Sequence, residues 1–138
     1  MARLEWFGDE VSRNIHKGAE RGLSAAAITF QGELKKMLSQ AGSGKWYKGN
    51  RARSSNEGPP GEPPVSQMGE LRRRIQVDLR KLRKLLARVG TNVKYAPWLE
   101  LGTSRMRPRP YMKPTMRLMR ARFRRIMDKW IQAAIRTA

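Results

Sequence analysis

LRRRIQVDLRKLRKLLARVGT, residues 71–91, is the stretch on which the fold turns, because it carries two periodicities at once. Leu71, Ile75, Leu79, Leu82, Leu86 and Val89 recur every three or four residues, as the buried stripe of a helix does. Ile75, Val77 and Leu79 alternate, as do Leu85, Ala87 and Val89, and a turn near Lys81–Arg83 would fold the two runs into a hairpin. No Gly or Asn marks that turn, which tilts the periodicity slightly toward helix. On the residues alone both readings stay open.

Upstream lies a segment that cannot be a regular element, GSGKWYKGNRARSSNEGPPGEPPVS at 42–66. Five glycines and four prolines punctuate it and apolar residues are few, the pattern of a mobile or partner-binding loop. Trp46 and Tyr47 sit in it without local apolar company. They either fold back as a lid or anchor on an adjacent subunit, a use that favours large rigid aromatics. Before the loop, Phe7, Val11, Ile15, Ala19, Gly22, Ala26, Phe30, Leu34, Met37 and Ala41 step by three or four, predicting a helix from about Phe7 to Gln40. At about 48 Å such a helix outruns one small core. Gly18, Gly22 and Gly32 weaken it locally, and imply either the close approach of another backbone or bending.

Downstream, Tyr95–Leu101 reads as a short helix with Pro97 in its first turn and Gly102 at its end. Pro108 and Pro110 keep the next residues extended, and Pro114 suits the first turn of a last helix. Met112, Met116, Met119, Phe123, Ile126, Trp130 and Ala134 form that helix's apolar stripe, with Arg117, Arg120, Arg122, Arg124, Arg125 and Lys129 on its other faces.

The 138 residues amount to one domain, with a core that is thin or completed by a neighbour: 39% are hydrophobic and only 7% aromatic. Formal net charge is +19, and the first forty residues carry six basic and five acidic side chains, so nearly all the excess follows the first helix. Self-repulsion on this scale favours a polyanionic or acidic partner. Cysteine is absent and the single histidine, His16, has no second ligand beside it, so it reads as a helix-surface residue. No cofactor or metal is expected. No apolar run spans a bilayer and the start of the chain lacks a signal-peptide core, so no membrane role is expected. Among the 11 carboxylates only Asp9 and Glu10 fall together, where the helix dipole accounts for them. Gly42-Ser43-Gly44-Lys45 lacks the preceding strand and glycine spacing of a phosphate loop. The chain therefore reads as an assembly component and not an enzyme. Nucleic acid is the obvious partner for the charge, bound through phosphates without sequence readout.

Two passages resemble a known family. GPPGEPPVSQMGELRRRI, residues 58–75, is similar to a Pro-Gly-Glu-Pro-Pro passage of phage head–tail joining proteins, also called tail completion or minor tail components of long-tailed phages. YAPWLELGTSRMRPRPYMKPTM, residues 95–116, is similar to the same family's signature. Tyr95, Ala96, Glu100, Gly102, Thr103, Met106, Arg109, Pro110, Tyr111 and Pro114 fill its places. Gln67-Met68 stands where a threonine commonly precedes the glycine.

The resemblance implies an α+β fold, with a long N-terminal and a basic C-terminal helix on a small antiparallel sheet, and it turns 71–91 toward the hairpin. Arg72, Arg74, Arg80 and Arg88 then project from edges and the solvent face. It also implies a structural role in the virion neck, assembled in the host cytoplasm. The expected partners are copies of the chain itself in a hexameric ring, the head connector, the tail terminator or tube, and DNA in the channel. Trp46, Tyr47, Tyr95, Trp98, Glu100, Gly102, Thr103, Arg109, Pro110 and Tyr111 are the expected assembly residues. Glu100 would pair with Arg105, Arg107 or Arg109, or else face solvent. Arg72, Arg74, Arg80, Arg88, Arg120 and Arg124 are the expected DNA-facing residues. The alternative is a free, non-sequence-specific nucleic-acid-binding protein of phage or host.

Overall fold

The computed structural model describes residues 7–39, 69–104 and 108–137. The 42–66 loop with Trp46 and Tyr47 lies outside them, as do Arg105 and Arg107. Helix α1 (Gly8–Ser39) takes up the span its periodicity predicts, opened by Asp9 and Glu10 and closed by Lys36 in accord with the helix dipole. A one-turn helix α2 (Glu70–Arg73) leads to strand β1 (Gln76–Asp78), a 3-10 turn at Leu82–Lys84 and strand β2 (Arg88–Gly90). The short helix α3 (Ala96–Leu101) and the long helix α4 (Met112–Arg136) follow.

Helices α1 and α4 run antiparallel. Gly18 of α1 lies against Ala134, and Gly22 against Met127 and Trp130. Further on, Phe30 meets Phe123 edge to face with 5.8 Å between ring centroids, and the Thr115 hydroxyl lies 3.2 Å from the Met37 sulfur. A Cβ built on Gly18 would fall 2.6 Å from the Ala134 Cβ and 2.9 Å from the Trp130 carbonyl oxygen. The close approach anticipated at Gly18 and Gly22 is thus made by α4 of the same chain. A Cβ built on Gly32 would meet nothing within 4 Å, so Gly32 takes no part in it.

The stretch 71–91 is a hairpin. Strands β1 and β2 pair antiparallel, with Gln76 opposite Gly90, Val77 opposite Val89 and Asp78 opposite Arg88. The fold is therefore α+β. Two features depart from the expectation. Leu71–Arg73 belong to α2, and each strand holds three residues, not a longer alternating run. A wide connection replaces the tight turn: the Leu82 N–H donates to the Leu79 carbonyl at 3.0 Å and the Leu85 N–H to the Leu82 carbonyl at 2.8 Å. Leu85 then takes φ 53°, which breaks the Leu85–Ala87–Val89 alternation. The hairpin lies along a flank of α1 away from Gly18 and Gly22. There the Gln31 side chain donates to the Ile75 carbonyl at 2.7 Å, and His16 Nε2 donates to the Arg83 carbonyl at 2.9 Å.

The core gathers at the C-terminal half of α1. Phe30, Leu34 and Leu38 meet Leu71 and Ile75, then Val93, Ala96, Leu99, Tyr111 and Met119. Among the described residues the N-terminal end of α1 has no such cover: the contacts of α4 on α1 begin at Gly18, against Trp130, Ile131 and Ala134. Phe7 and Ile15, predicted on the buried stripe, are consequently 58% and 36% exposed. Met116 is also exposed, and Thr115 turns inward in its place, its hydroxyl satisfied by the Tyr111 carbonyl at 2.7 Å. Helix α4 packs on α1 along one face only, so a side chain at the margin of its stripe stays in solvent.

Candidate assembly site at the Gly102–Thr103 segment

Helix α3 starts abruptly. The Ala96 N–H donates to the Val93 carbonyl at 3.1 Å and the Leu99 N–H to the Tyr95 carbonyl at 3.2 Å. Pro97 stands in the first turn, where its missing N–H leaves nothing unsatisfied. Ala96 and Leu99 enter the core, while Trp98 and Leu101 point outward, 57% and 66% exposed. Gly102 stops the helix, donating to the Trp98 carbonyl at 2.8 Å with φ 75° and ψ 176°, a conformation essentially reserved for glycine.

The chain then comes back to α3. The Arg109 N–H donates to the Leu99 carbonyl at 2.7 Å. One residue along, the Glu100 carboxylate receives the opening N–H groups of α4: Tyr111 at 2.8 Å and Met112 at 3.0 Å on one oxygen, and Lys113 at 3.0 Å on the other. The start of α4 has no capping side chain of its own, since Tyr111 occupies the cap position. Glu100 supplies the acceptors from a distance, with a negative charge where the helix dipole welcomes it. It thus caps α4, a role not expected of it; Arg105 and Arg107, two of its expected partners, lie outside the described residues.

Arg109 and Tyr111, expected on the assembly surface, are interior side chains, each 2% exposed. Pro110 is half-buried, and Thr103 is exposed. The Tyr111 hydroxyl points at the Ala96 carbonyl across a long 3.4 Å. Burial first, then the charge of Glu100 and the neighbouring Tyr95, push its phenol up to about 12. Tyr95 is half-buried and shifted in the same direction, chiefly by burial and next by the Glu70 charge. The segment thus divides in two: Tyr95, Glu100, Gly102, Arg109 and Tyr111 set its shape, and Trp98 and Leu101 remain offered to solvent.

The expected DNA-facing arginines also divide. Arg72 donates to the Ser39 hydroxyl at 2.9 Å and Arg74 pairs with Glu70 at 3.3 Å. Arg80 binds Asp78 with its backbone N–H, Nε and Nη2, and these bonds hold the Asp78 carboxyl well below the usual carboxylate range. Arg88 is exposed on β2 opposite Asp78. Arg120 and Arg124 stand exposed on α4, with no carboxylate partner among the described residues.

Long paired helices, a small hairpin and a stapled connector that leaves apolar side chains in solvent define a structural scaffold of the α+β class. Among the described residues no group of acidic or histidine side chains is placed to hold a metal, and no helix is long and apolar enough to cross a membrane. The family model described as "Bacteriophage HK97-gp10, putative tail-component" matches residues 2–102. The chain belongs to this HK97-gp10-like family; it is a tail-associated structural component of a bacteriophage, with its place in the virion. The match takes in α1, the hairpin and α3 and ends at Gly102, so Glu100 lies inside it and α4 beyond it. No curated protein and no solved structure matches significantly.

Proposed function

We propose that this tail component joins head to tail, its copies closing into a ring at the virion neck between the head connector and the tail tube, around the DNA channel. The observation that carries the reading is the stripe Phe7, Val11 and Ile15. It continues the α4-packing face of α1 past the end of α4, where nothing in the described chain covers Phe7 and Ile15. An apolar face at the end of a rigid helix is a surface that a further subunit completes. Trp98 and Leu101 on α3 offer a second, separate contact, as closing a ring of identical copies requires. The role is structural, and the hexamer is the expected closure.

The test is genetic. Removing the gene from its phage and inspecting lysates by electron microscopy should show filled heads and finished tails that stay apart. Normal joined particles would refute the reading. Complementation with Ile15→Asp should fail in the same way, although the protein accumulates.

A further inference from the structure

Beyond the ring itself, the geometry points to one face of α4 as the surface that grips duplex DNA. Lys113, Arg117, Arg120 and Arg124 follow one another by four, three and four residues, which places them in a line along a single flank of the helix. The line spans about 16 Å, the axial rise of roughly five phosphates of one strand. All four side chains are exposed. None has a carboxylate partner among the described residues: Glu33 is held by Lys36 and Arg122, Glu70 by Arg74, Asp78 by Arg80, and Glu100 by the α4 backbone. Asp128 follows one turn after Arg124 without an ion pair between them.

The contrast with the hairpin assigns the face. Arg72, Arg74 and Arg80 already have partners within the chain, so a phosphate would have to displace them. Among the described residues the α4 line has no carboxylate to give up. Duplex DNA fits it better than an acidic protein does, because evenly spaced cations with no aromatic anchor among them match a repeating phosphate backbone, whereas protein interfaces centre on aromatic and arginine anchors held in desolvated pockets. Of the two exposed apolar residues in this part of α4, Leu118 lies on the opposite flank of the α1-facing side, and Met116 sits between the basic line and that side. Three of the four cations are arginines, whose forked donors match phosphate oxygens. The biological setting rests on the neck reading, in which DNA passes the protein; the face itself rests on the charges alone.

The experiment measures affinity of the full-length protein for random-sequence duplex DNA between 50 and 200 mM salt. The triple variant Arg117→Gln, Arg120→Gln, Arg124→Gln is compared with Arg72→Gln, Arg74→Gln, Arg80→Gln, with helix content checked by circular dichroism. Each lost phosphate contact lowers the log–log salt slope by about 0.9, so the wild type should lose about 40-fold more affinity over this range than the α4 variant. The hairpin variant should keep nearly the wild-type slope. Equal slopes for wild type and α4 variant, or an equal drop in both variants, would overturn the assignment. Unchanged DNA binding with lost attachment to purified head connector would replace it with an acidic protein surface. Single Arg117→Gln and Arg124→Gln proteins, each lowering the slope by about 0.9, serve if the triple variant does not fold. Ring formation without DNA is scored separately by mass photometry. Rings with an unchanged slope refute this inference alone, and monomers with a lowered slope refute the neck reading alone.

Discussion

Glu100 and Tyr111 are eleven residues apart, yet the carboxylate of one accepts the backbone N–H of the other at 2.8 Å. With the bonds to Met112 and Lys113, one side chain at the end of α3 closes the start of α4. Cap and dipole act together here, and a lost cap costs about 1 kcal/mol, up to about 2 in favourable settings. Glu100→Ala should therefore lower unfolding free energy by about 1–2 kcal/mol. Glu100→Gln, which keeps one acceptor and loses the charge, should lose less. Urea titrations followed by tryptophan fluorescence give both values.

Gly18, Gly22 and Gly32 of α1 should answer alanine substitution with different signs. At Gly18 the new Cβ meets the Ala134 Cβ at 2.6 Å and the Trp130 backbone at 2.9 Å, so the helices must part. Overpacking of about 1–3 kcal/mol outweighs a propensity gain of up to about 1. At Gly22 the nearest atom is the Met127 sulfur at 3.0 Å, the end of a flexible side chain that can give way, and the change should be near neutral. Gly32 meets nothing, so Gly32→Ala should gain up to about 1 kcal/mol. Thermal melts of the three variants should rank Gly32→Ala above Gly22→Ala above Gly18→Ala.

Gly102 holds φ 75° and ψ 176°, and a β-branched residue there carries a strain of about 1–3 kcal/mol. Because α1 makes its own backbone bonds, Gly102→Val should leave helix content nearly intact and misdirect α4. Particle yield in a complementation assay should drop sharply while circular dichroism stays close to wild type. A wild-type yield would detach the connector from assembly.

The buried phenol of Tyr111 makes an alkaline prediction. Its usual value is 10.0, and in the folded chain it is raised to about 12. Between these values the unfolded chain gives up the proton and the folded chain keeps it, so stability falls as pH rises through that window. Below pH 10 this residue contributes no slope. Tyr111→Phe keeps the ring and removes the ionisation. Its stability profile should therefore be flatter than wild type from pH 10 to 12, as measured by urea midpoints at matched ionic strength.

Much of this architecture could be read from the residues. The three-to-four stepping from Val11 to Leu34 gave α1 almost to the residue, and Pro97 and Gly102 bracketed α3, because local propensity and tertiary packing agree there. The hairpin was undecided by pattern, since Ile75 and Val89 satisfy both periods and the turn bears no glycine. Only pairing across the chain settles it. The exposure of Phe7 and Ile15 was hidden for another reason: periodicity reports which face is apolar, and the packing of other elements determines how much of that face is covered. The cap by Glu100 had an indirect signal in the absence of Ser, Thr, Asp or Asn at the start of α4, which demands an acceptor from elsewhere. The spacing of Lys113, Arg117, Arg120 and Arg124 was visible too. That Arg74 and Arg80 are already paired was not, because it depends on the folding of α2 and the hairpin connection.

The central claim, that the chain is built to be completed by its own copies, is most directly tested by native mass spectrometry and negative-stain microscopy of the purified protein. The measurement is made at physiological salt, without nucleic acid, over a range of concentrations. The account predicts closed rings of one size, hexamers by expectation, that dissociate on dilution and are abolished by Ile15→Asp. A monomer at every concentration, unchanged by that substitution and by added head connector, would contradict it.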